Sequence, residues 1–224
     1  MQYRLNERLA LRGWDDHPFA LQDLKAGSVS FLDEAAFRAL SFCNGVMDVD
    51  SPLIPDMYRA AIGAFAARKA VEPCEAKRPL SPEQRLRVFP TRFVANVYWS
   101  ITGRCNMRCR HCFMSAPQAK YGEMSHDKCM DIIRQMGGLG VPSVWLSGGE
   151  PLVREDFLEL VDALTEQGIN IARIYTNGLL VDEALLDELD GRGVHPDFFL
   201  SFDGVGWHDW LRGVEGAEQM AIDR

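Results

Sequence analysis

From Phe93 onward, short apolar segments alternate with longer segments of helical periodicity. The helical segments carry apolar side chains at i, i+3, i+4 and i+7, which is typical of a helix with one buried face. Strands that alternate with helices of this length form right-handed βαβ units and therefore a parallel sheet. The sequence thus predicts an α/β fold with strands at 93–101, 143–147, 171–175 and 197–202, separated by helices at 127–137, 155–167 and 182–190.

The first 73 residues have a different, mixed pattern. GSVSFL (27–32) predicts a short strand, and residues 33–45 predict a helix with an acidic start and a stop at Asn44-Gly45. A second helix is expected from Pro55, a favoured first helical position, to about Arg68. These elements predict a small α+β domain over 1–73. Prolines and charges over 74–92 predict a linker, which leaves 93–224 as the second domain.

Composition excludes some classes of partner. The net charge of −8 argues against a nucleic-acid partner, because phosphate binding requires a basic face. Residues 1–10 carry charges throughout and lack the apolar segment of a signal peptide. The chain also lacks a window of roughly 20 apolar residues that would favour a membrane helix. We therefore expect a cytoplasmic protein with no membrane partner.

A polar or glycine-rich turn follows each predicted strand of the second domain. Parallel strands end at the same edge of a sheet, and ligands gather at that edge because the connecting loops there are free to bind them. Each turn alone is weak evidence, since glycines are common in ordinary turns. Together they predict one binding site, built from TGRCNMRCRHC (102–112), SGGEP (147–151), TNG (176–178) and SFDG (201–204).

The first of these turns holds Cys105, Cys109 and Cys112 within eight residues. In a reducing compartment such clustering favours metal binding over disulfides. A structural zinc ion usually needs a second pair of ligands, and the sequence offers no such pair nearby. Three thiolates on one loop suit a [4Fe–4S] cluster in which one iron stays open for a substrate or cofactor. Cys43, Cys74 and Cys129 are scattered and are expected to be small apolar side chains.

The motifs C-N-M-R-C-R-H-C, S-G-G-E-P, Y-T-N-G and S-F-D-G, followed by H-D-W-L-R-G, resemble those of the radical SAM superfamily. Among its members, the sequence is most similar to the peptide-modifying branch, which often carries a C-terminal SPASM or twitch extension. The resemblance covers about 93–216 and implies a partial (β/α) barrel. That barrel has six β/α units in the family, whereas about four are counted here. We therefore expect the chain to be the N-terminal part of a longer enzyme, truncated within the barrel.

The resemblance also implies a chemistry. Cys105, Cys109 and Cys112 would hold a [4Fe–4S] cluster whose fourth iron is chelated by S-adenosylmethionine. A reduced cluster would cleave that cofactor reductively and release a 5′-deoxyadenosyl radical that abstracts hydrogen from the substrate. The remaining implied cofactor contacts are Gly148, Gly149 and Glu150 at the methionine ammonium, Asn177, Ser201 and Asp203 at other polar groups, and Arg212 at the carboxylate.

The first domain loosely resembles the winged-helix domain by which peptide maturases bind a leader peptide through an exposed strand edge. A peptide or protein substrate is therefore expected, with flavodoxin or ferredoxin as the one-electron donor. Two alternatives stay open. The substrate could be a small molecule or tetrapyrrole, or the cysteines could form a zinc-stabilised interaction module.

Overall fold

A computed structural model describes residues 1–75, 77–116 and 120–223. The chain divides into two compact units. Unit 1 comprises Met1–Ala95 with Gly138–Pro142, and unit 2 comprises Asn96–Gly137 with Ser143–Arg224. Ala76, in the range predicted as a linker, and Arg224, at the end of the predicted second domain, lie outside the described residues. Within the described ranges, every helix is too short or too polar to cross a membrane.

Unit 1 is an α+β structure with two small sheets. The strand order is β5-β1-β6 in one sheet and β4-β3-β2-β7 in the other. Its elements in chain order are β1 (Gln2–Leu5), β2 (Leu9–Trp14), β3 (Ala20–Asp23), β4 (Val29–Phe31), α1 (Glu34–Ser41), β5 (Asn44–Asp48), α2 (Asp56–Ala67), β6 (Val71–Cys74) and β7 (Arg87–Phe89).

The helices of unit 1 close its core. The Asp33 carboxylate accepts a 2.7 Å hydrogen bond from the Ala36 N–H and so caps α1, as the acidic start predicts. Leu40 of α1 and Ile62 of α2 are buried in one cluster with residues of β1, β2 and β6. The predicted strand and both predicted helices of this unit are present as β4, α1 and α2, and α2 begins directly after Pro55.

Residues 74–92, which the sequence pattern assigns to a linker, lie within unit 1. Strand β7 in this range pairs in parallel with β2. Two carbonyls of the same range, those of Glu83 and Arg85, accept hydrogen bonds from the Arg12 guanidinium at 2.7 and 2.9 Å. The contacts that hold this segment use backbone carbonyls, which every residue has. A pattern of prolines and charges therefore does not predict them.

Unit 2 contains a sheet in the order β11-β10-β9-β8, in which every pairing is parallel. Leu146, Ile174, Leu160 and Leu164 are fully buried, so apolar side chains of two strands and of one helix share the core. The elements are β8 (Val97–Thr102), α3 (His126–Gly138), β9 (Ser143–Gly148), α4 (Phe157–Glu166), β10 (Asn170–Thr176), α5 (Glu183–Gly191), β11 (Asp197–Leu200), α6 (His208–Arg212) and α7 (Ala217–Ile222).

The predicted alternation in unit 2 is confirmed. Each predicted strand and helix occurs within a few residues of its expected bounds, and the parallel sheet is the partial (β/α) barrel that the resemblance implies. The first strand begins at Val97 rather than Phe93. Because the strands are parallel, the segments after Thr102, Gly148, Thr176 and Leu200 leave the sheet at one edge.

Candidate cluster and cofactor site

A cavity of about 250 Å³ lies at the carboxyl edge of the unit 2 sheet. The segment that follows each of the four strands contributes to its wall, as the position of the polar turns predicts. Its lining includes Cys105, Cys109 and Cys112 from the first segment, Gly148 and Gly149 from the second, Asn177 from the third and Ser201 from the fourth, together with Tyr98, Ser147, Thr176 and Arg212.

The sulfur atom of each cysteine in the 105–112 loop has an N–H donor nearby. Cys105 Sγ accepts from the Met107 backbone N–H at 3.4 Å, and Cys112 Sγ accepts from the Ala116 backbone N–H at 3.4 Å. Cys109 Sγ lies 3.8 Å from Nη1 of Arg212. Such donors favour sulfur in its anionic form, which is the form that binds metal.

Burial opposes that form at Cys105. Desolvation raises the pKa of its thiol, although the Met107 N–H partly offsets this effect. The negative charges of Glu150 and of the other two cysteines raise the pKa further. The three sulfurs are therefore close enough to repel one another as thiolates, and a bound cation would relieve that repulsion.

Helix α6 holds the cysteine loop through its C-terminal carbonyls. The Arg108 N–H donates to the Arg212 carbonyl at 3.1 Å, and the Arg110 N–H donates to the Leu211 carbonyl at 2.8 Å. Gly213 follows with a φ of 67°, and a Cβ there would lie 2.7 Å from the Arg108 carbonyl oxygen. Glycine at this position allows the close approach of the two backbones.

Gly148 and Gly149 pack against the start of the cysteine loop. A Cβ on Gly148 would lie 2.5 Å from the Thr102 carbonyl oxygen, and one on Gly149 would lie 2.2 Å from that of Arg104. The N–H of Gly149 donates to the Thr102 carbonyl at 2.8 Å. These contacts give the two glycines a packing role beside the predicted cofactor role, and both line the cavity.

Glu150 has contacts that the sequence does not reveal. Its side chain is fully buried. Oε1 accepts from the Leu152 N–H at 3.1 Å and from the Thr176 hydroxyl at 2.9 Å, while Oε2 accepts from the Asn177 N–H at 2.8 Å. Burial raises its pKa despite these bonds. The carboxylate thus joins the turns after β9 and β10, and Glu150 is not among the residues that line the described cavity.

Asn177 and Ser201, which the resemblance implies as cofactor contacts, both line the cavity. The Asn177 amide donates to Asn106 Oδ1 at 2.7 Å and lies 4.0 Å from Cys105 Sγ, so it contacts the cysteine loop directly. The Ser201 N–H donates to the Thr176 carbonyl at 3.0 Å. Both residues line the cavity with polar groups.

Asp203 and Arg212 bind each other. Arg212 Nε donates to Asp203 Oδ2 at 2.6 Å, and Nη2 donates to Oδ1 at 3.1 Å. Arg212 also lines the cavity, whereas Asp203 is outside its described wall. The structure therefore places these two predicted cofactor contacts in one ion pair next to Cys109.

Two further side chains, one on the cavity wall and one at the strand from which the cysteine loop departs, have roles that the sequence does not reveal. The Tyr98 hydroxyl donates to the Ser147 hydroxyl at 2.7 Å on the cavity wall, yet Tyr98 occurs in an ordinary strand pattern. Arg154 binds the carbonyls of Ile101 and Met124 at 2.8 and 3.0 Å, near the end of β8. The alternating pattern of a strand predicts that Tyr98 faces one side of the sheet, but it does not predict the hydrogen bond to Ser147. Nothing in the sequence marks Arg154 as buried.

Comparison with known proteins identifies the class. Residues 99–206 match the family model described as the Radical SAM superfamily. Over 158 residues the chain is 32% identical to the Fe-coproporphyrin III synthase of Methanosarcina barkeri, which covers 68% of this chain and 39% of that protein. Over 126 residues it is 35% identical to the mycofactocin maturase MftC of Mycobacterium tuberculosis, which covers 55% of this chain and 32% of that protein. The chain spans less than half the length of either relative.

A solved structure extends the likeness to both units. The crystal structure of Streptococcus suis SuiB bound to precursor peptide SuiA covers 97% of this chain and 52% of the SuiB chain, with a TM-score of 0.59 and 17% identity. At that identity the likeness concerns the fold. Residues 99–206 thus match the radical SAM superfamily, whose members are enzymes that use a [4Fe–4S] cluster and S-adenosylmethionine.

The described site fits these two groups. Three cysteine residues, each with an N–H donor to its sulfur, line one cavity together with polar groups. Among the described residues, no three His, Cys, Asp or Glu side chains converge on a point where a single metal ion would bind. A cubane cluster is bound through separate irons, so its ligands need not converge in this way. Three thiolates from one loop are the donor set that a [4Fe–4S] cluster takes.

Proposed function

We propose that the chain is the N-terminal part of a radical SAM enzyme that acts on a peptide or protein. When bound and reduced, the cluster supplies the electron that cleaves S-adenosylmethionine and yields a 5′-deoxyadenosyl radical for hydrogen abstraction. The observation that carries this proposal is the cavity in which three cysteines of one loop face the polar turns of the neighbouring parallel strands. We further propose that the protein is cytoplasmic and that flavodoxin or ferredoxin donates the electron.

The residues of the chain have distinct tasks in this proposal. Cys105, Cys109 and Cys112 would each hold one iron of the cluster, and its fourth iron would remain for the cofactor. Asn177 and Ser201 offer an amide and a hydroxyl to the polar groups of S-adenosylmethionine. Carbonyls near Gly148 and Gly149 can approach the cofactor ammonium closely, because no side chain covers the backbone there.

The peptide substrate is supported by two comparisons and by unit 1. MftC is named a mycofactocin maturase, and SuiB was crystallised with a precursor peptide. Strand β4 lies at one edge of its sheet in the described order, directly before α1. An extended peptide can add to such an edge through backbone hydrogen bonds. We propose that a leader segment of the substrate binds unit 1 in this way.

A second candidate is a radical SAM enzyme that acts on a small molecule or tetrapyrrole. It is favoured by the 32% identity to Fe-coproporphyrin III synthase, an alignment that covers more of this chain than the MftC alignment does. The two candidates share the cluster and differ in the substrate. Synthetic peptides encoded by small open reading frames beside the gene, titrated against the protein with scrambled peptides as controls, separate them. Saturable binding supports the peptide substrate, and its absence favours the small molecule.

Anaerobic reconstitution with iron and sulfide tests the cluster. We expect the wild-type protein to bind about four irons and four sulfides and to show the visible absorption of a [4Fe–4S] cluster. Cys109→Ala should lose nearly all of this iron. Cys74→Ala in unit 1 is the matched control, since it removes a thiol outside the cavity and should retain the cluster. A colourless wild-type protein that takes up zinc instead would favour the interaction module.

A further inference from the structure

Cys109 differs from the other two cysteines in how its sulfur is contacted. Backbone N–H groups contact Cys105 Sγ and Cys112 Sγ, and the neutral Asn177 amide also lies 4.0 Å from Cys105 Sγ. Cys109 Sγ is instead contacted by a cationic side chain, the guanidinium of Arg212, at 3.8 Å. A backbone donor stays in place when a side chain is substituted. The Arg212 contact can therefore be removed by mutation while the other two remain.

Asp203 fixes the orientation of Arg212. Its two carboxylate oxygens bind Nε and Nη2 at 2.6 and 3.1 Å, and both side chains are largely buried. This fork leaves Nη1 on the side of the cysteine loop. A planar guanidinium held at two nitrogens has little freedom to turn, so its remaining N–H groups keep a fixed direction.

His208 in turn fixes Asp203. Its ring is fully buried and stacks on Phe202 with ring centroids 5.2 Å apart. The Asp203 backbone N–H donates to Nδ1 at 3.1 Å, and Nδ1 also lies 3.3 Å from Asp203 Oδ2. A continuous chain of contacts thus runs from His208 through Asp203 and Arg212 to the Cys109 sulfur.

The cysteine loop and Arg212 are also joined through the backbone. The Arg108 N–H donates to the Arg212 carbonyl at 3.1 Å. The distance between Arg212 and Cys109 is therefore set at both the main chain and the side chain. A donor held at both its backbone and its side chain has little freedom to move relative to the sulfur.

We propose that Arg212, oriented by Asp203, is a positioning residue that donates to the Cys109 sulfur and raises the reduction potential of the cluster. The inference rests on the proposed function, since it requires that Cys109 holds an iron. Reduction adds negative charge that spreads onto the sulfurs, and an N–H donor stabilises that charge. The donor makes it easier for the cluster to accept the electron that the proposed reaction needs.

The test is a redox titration of the reconstituted protein without S-adenosylmethionine, followed by electron paramagnetic resonance. We expect Arg212→Gln to make reduction about tenfold less favourable, which is a shift of about −59 mV for one electron. Arg212→Lys keeps the charge but lacks the planar fork, so its shift should have the same sign. Asp203→Asn should shift the potential in that direction by a smaller amount.

Arg104→Gln is the control for charge alone. It removes a cation next to Cys105 whose side chain pairs with Glu123. Its shift should be smaller than that of Arg212→Gln. An equal shift would mean that charge near the loop, and not the bond to sulfur, sets the potential, and would overturn the proposal.

The other outcomes are equally decisive. Unchanged potentials in loaded Arg212 variants, combined with weaker binding of S-adenosylmethionine, would assign Arg212 to the cofactor carboxylate and overturn the inference while leaving the proposed function intact. Loss of the cluster from Arg212→Gln, Arg212→Lys and Asp203→Asn would mean that the Arg212–Asp203 ion pair is needed for cluster assembly. That result would also contradict the proposal. A wild-type protein that binds no cluster would instead refute the proposed function itself.

Discussion

Each unit of the molecule contains a buried arginine that joins a loop to a strand. Arg12 in unit 1 is 4% exposed and Arg154 in unit 2 is 5% exposed. Both donate to backbone carbonyls of segments distant in sequence. They differ in the charge of their partners, and this difference has consequences for how each unit responds to pH.

Arg12 is bound by neutral oxygen atoms. Its guanidinium donates to the Gln22 side chain and to the carbonyls of Leu11, Arg85 and Glu83, at 2.7 to 3.1 Å. Burial lowers its pKa to about 10, with a smaller contribution from the charge of Arg87. Burying a charge among neutral groups costs free energy. Arg12 offsets this cost because its guanidinium donates hydrogen bonds to several buried carbonyls at once.

Arg154 is bound by a carboxylate as well. Nε and Nη2 each donate to a different oxygen of Asp156 at 2.8 Å, and Nη1 lies 3.6 Å from Glu123 Oε1. The bond to Asp156 raises the pKa of Arg154, and the same bond lowers the pKa of Asp156 to about 2. The end of β8, from which the cysteine loop departs, is thus held by an ion pair.

Because only Arg154 has titrating partners, we expect a buried arginine to give pH-independent support in unit 1 and pH-dependent support in unit 2. The unfolding of the two units must be measured separately, because a single denaturation curve would merge them. Amide hydrogen exchange of β2 and of β8 provides a free energy of opening for each unit.

Arg154→Met should have the largest effect. The substitution leaves the Asp156 carboxylate partly buried without its main partner and removes the donors of two carbonyls. We expect a loss of about 3–5 kcal/mol in the free energy of opening of unit 2 near neutral pH. Arg134→Met is the control, since Arg134 is an exposed residue of α3 whose ion pair with Asp131 should contribute well under 1 kcal/mol. Equal effects of the two would contradict the role of Arg154.

Arg12→Met should come next. The variant leaves buried carbonyl acceptors without donors but removes no ion pair, so we expect a loss of about 2–3 kcal/mol in unit 1. Because the partners do not titrate, this loss should be constant between about pH 5 and 8. A loss that varied strongly with pH in hydrogen exchange of β2 would show that a titrating group contributes.

Asp156→Asn should cost about 2 kcal/mol in unit 2 at neutral pH, from a pKa difference between 3.8 and about 2. The folded pKa is lower than the unfolded one, so this contribution is complete above the unfolded value and is lost as the pH falls through the folded one. The wild-type and variant proteins should therefore converge in stability between about pH 4 and 2. A difference that persisted at the acidic end would contradict an electrostatic origin.

Glu150→Gln should have the smallest effect on the free energy of opening of unit 2. Its dependence on pH should have the opposite sign to that of Asp156→Asn. Burial raises the pKa of Glu150, so the folded state retains a proton that the unfolded state releases. The stability that protonated Glu150 gives the wild-type protein is present below its unfolded pKa and is lost as the pH rises through the raised, folded pKa. Relative to Glu150→Gln, the wild type should thus lose stability with rising pH across that window, as read from hydrogen exchange of β9. A wild type that gained stability there would show that hydrogen bonds outweigh burial.

The strands of unit 2 could be predicted because each is apolar and followed by a helix with one apolar face. Strands β1 and β3 could not be predicted because they are only partly buried, and β2, although buried, contains the charge of Arg12. Strand β7 is short and lies among prolines. The signals for these strands lie in tertiary contacts, which a single sequence does not contain.

The site was predictable to the level of its loops. Cysteine spacing and the position of turns after strands predict that these loops share one site. Five of the predicted residues line one cavity: Cys105, Cys109, Cys112, Asn177 and Ser201. Side-chain partners were not predictable. That Glu150 would serve as a buried cross-link, and Asp203 as the partner of Arg212, depends on rotamers and on distances between loops.

The central claim is that the three cysteines hold a cluster with one open iron. Mössbauer spectroscopy of protein reconstituted with ⁵⁷Fe, before and after addition of S-adenosylmethionine, tests it most directly. The account predicts that one iron of the four changes its signal when the cofactor is added and that Cys109→Ala shows no cluster. Four irons that do not respond to the cofactor, or a site filled by zinc, would contradict it.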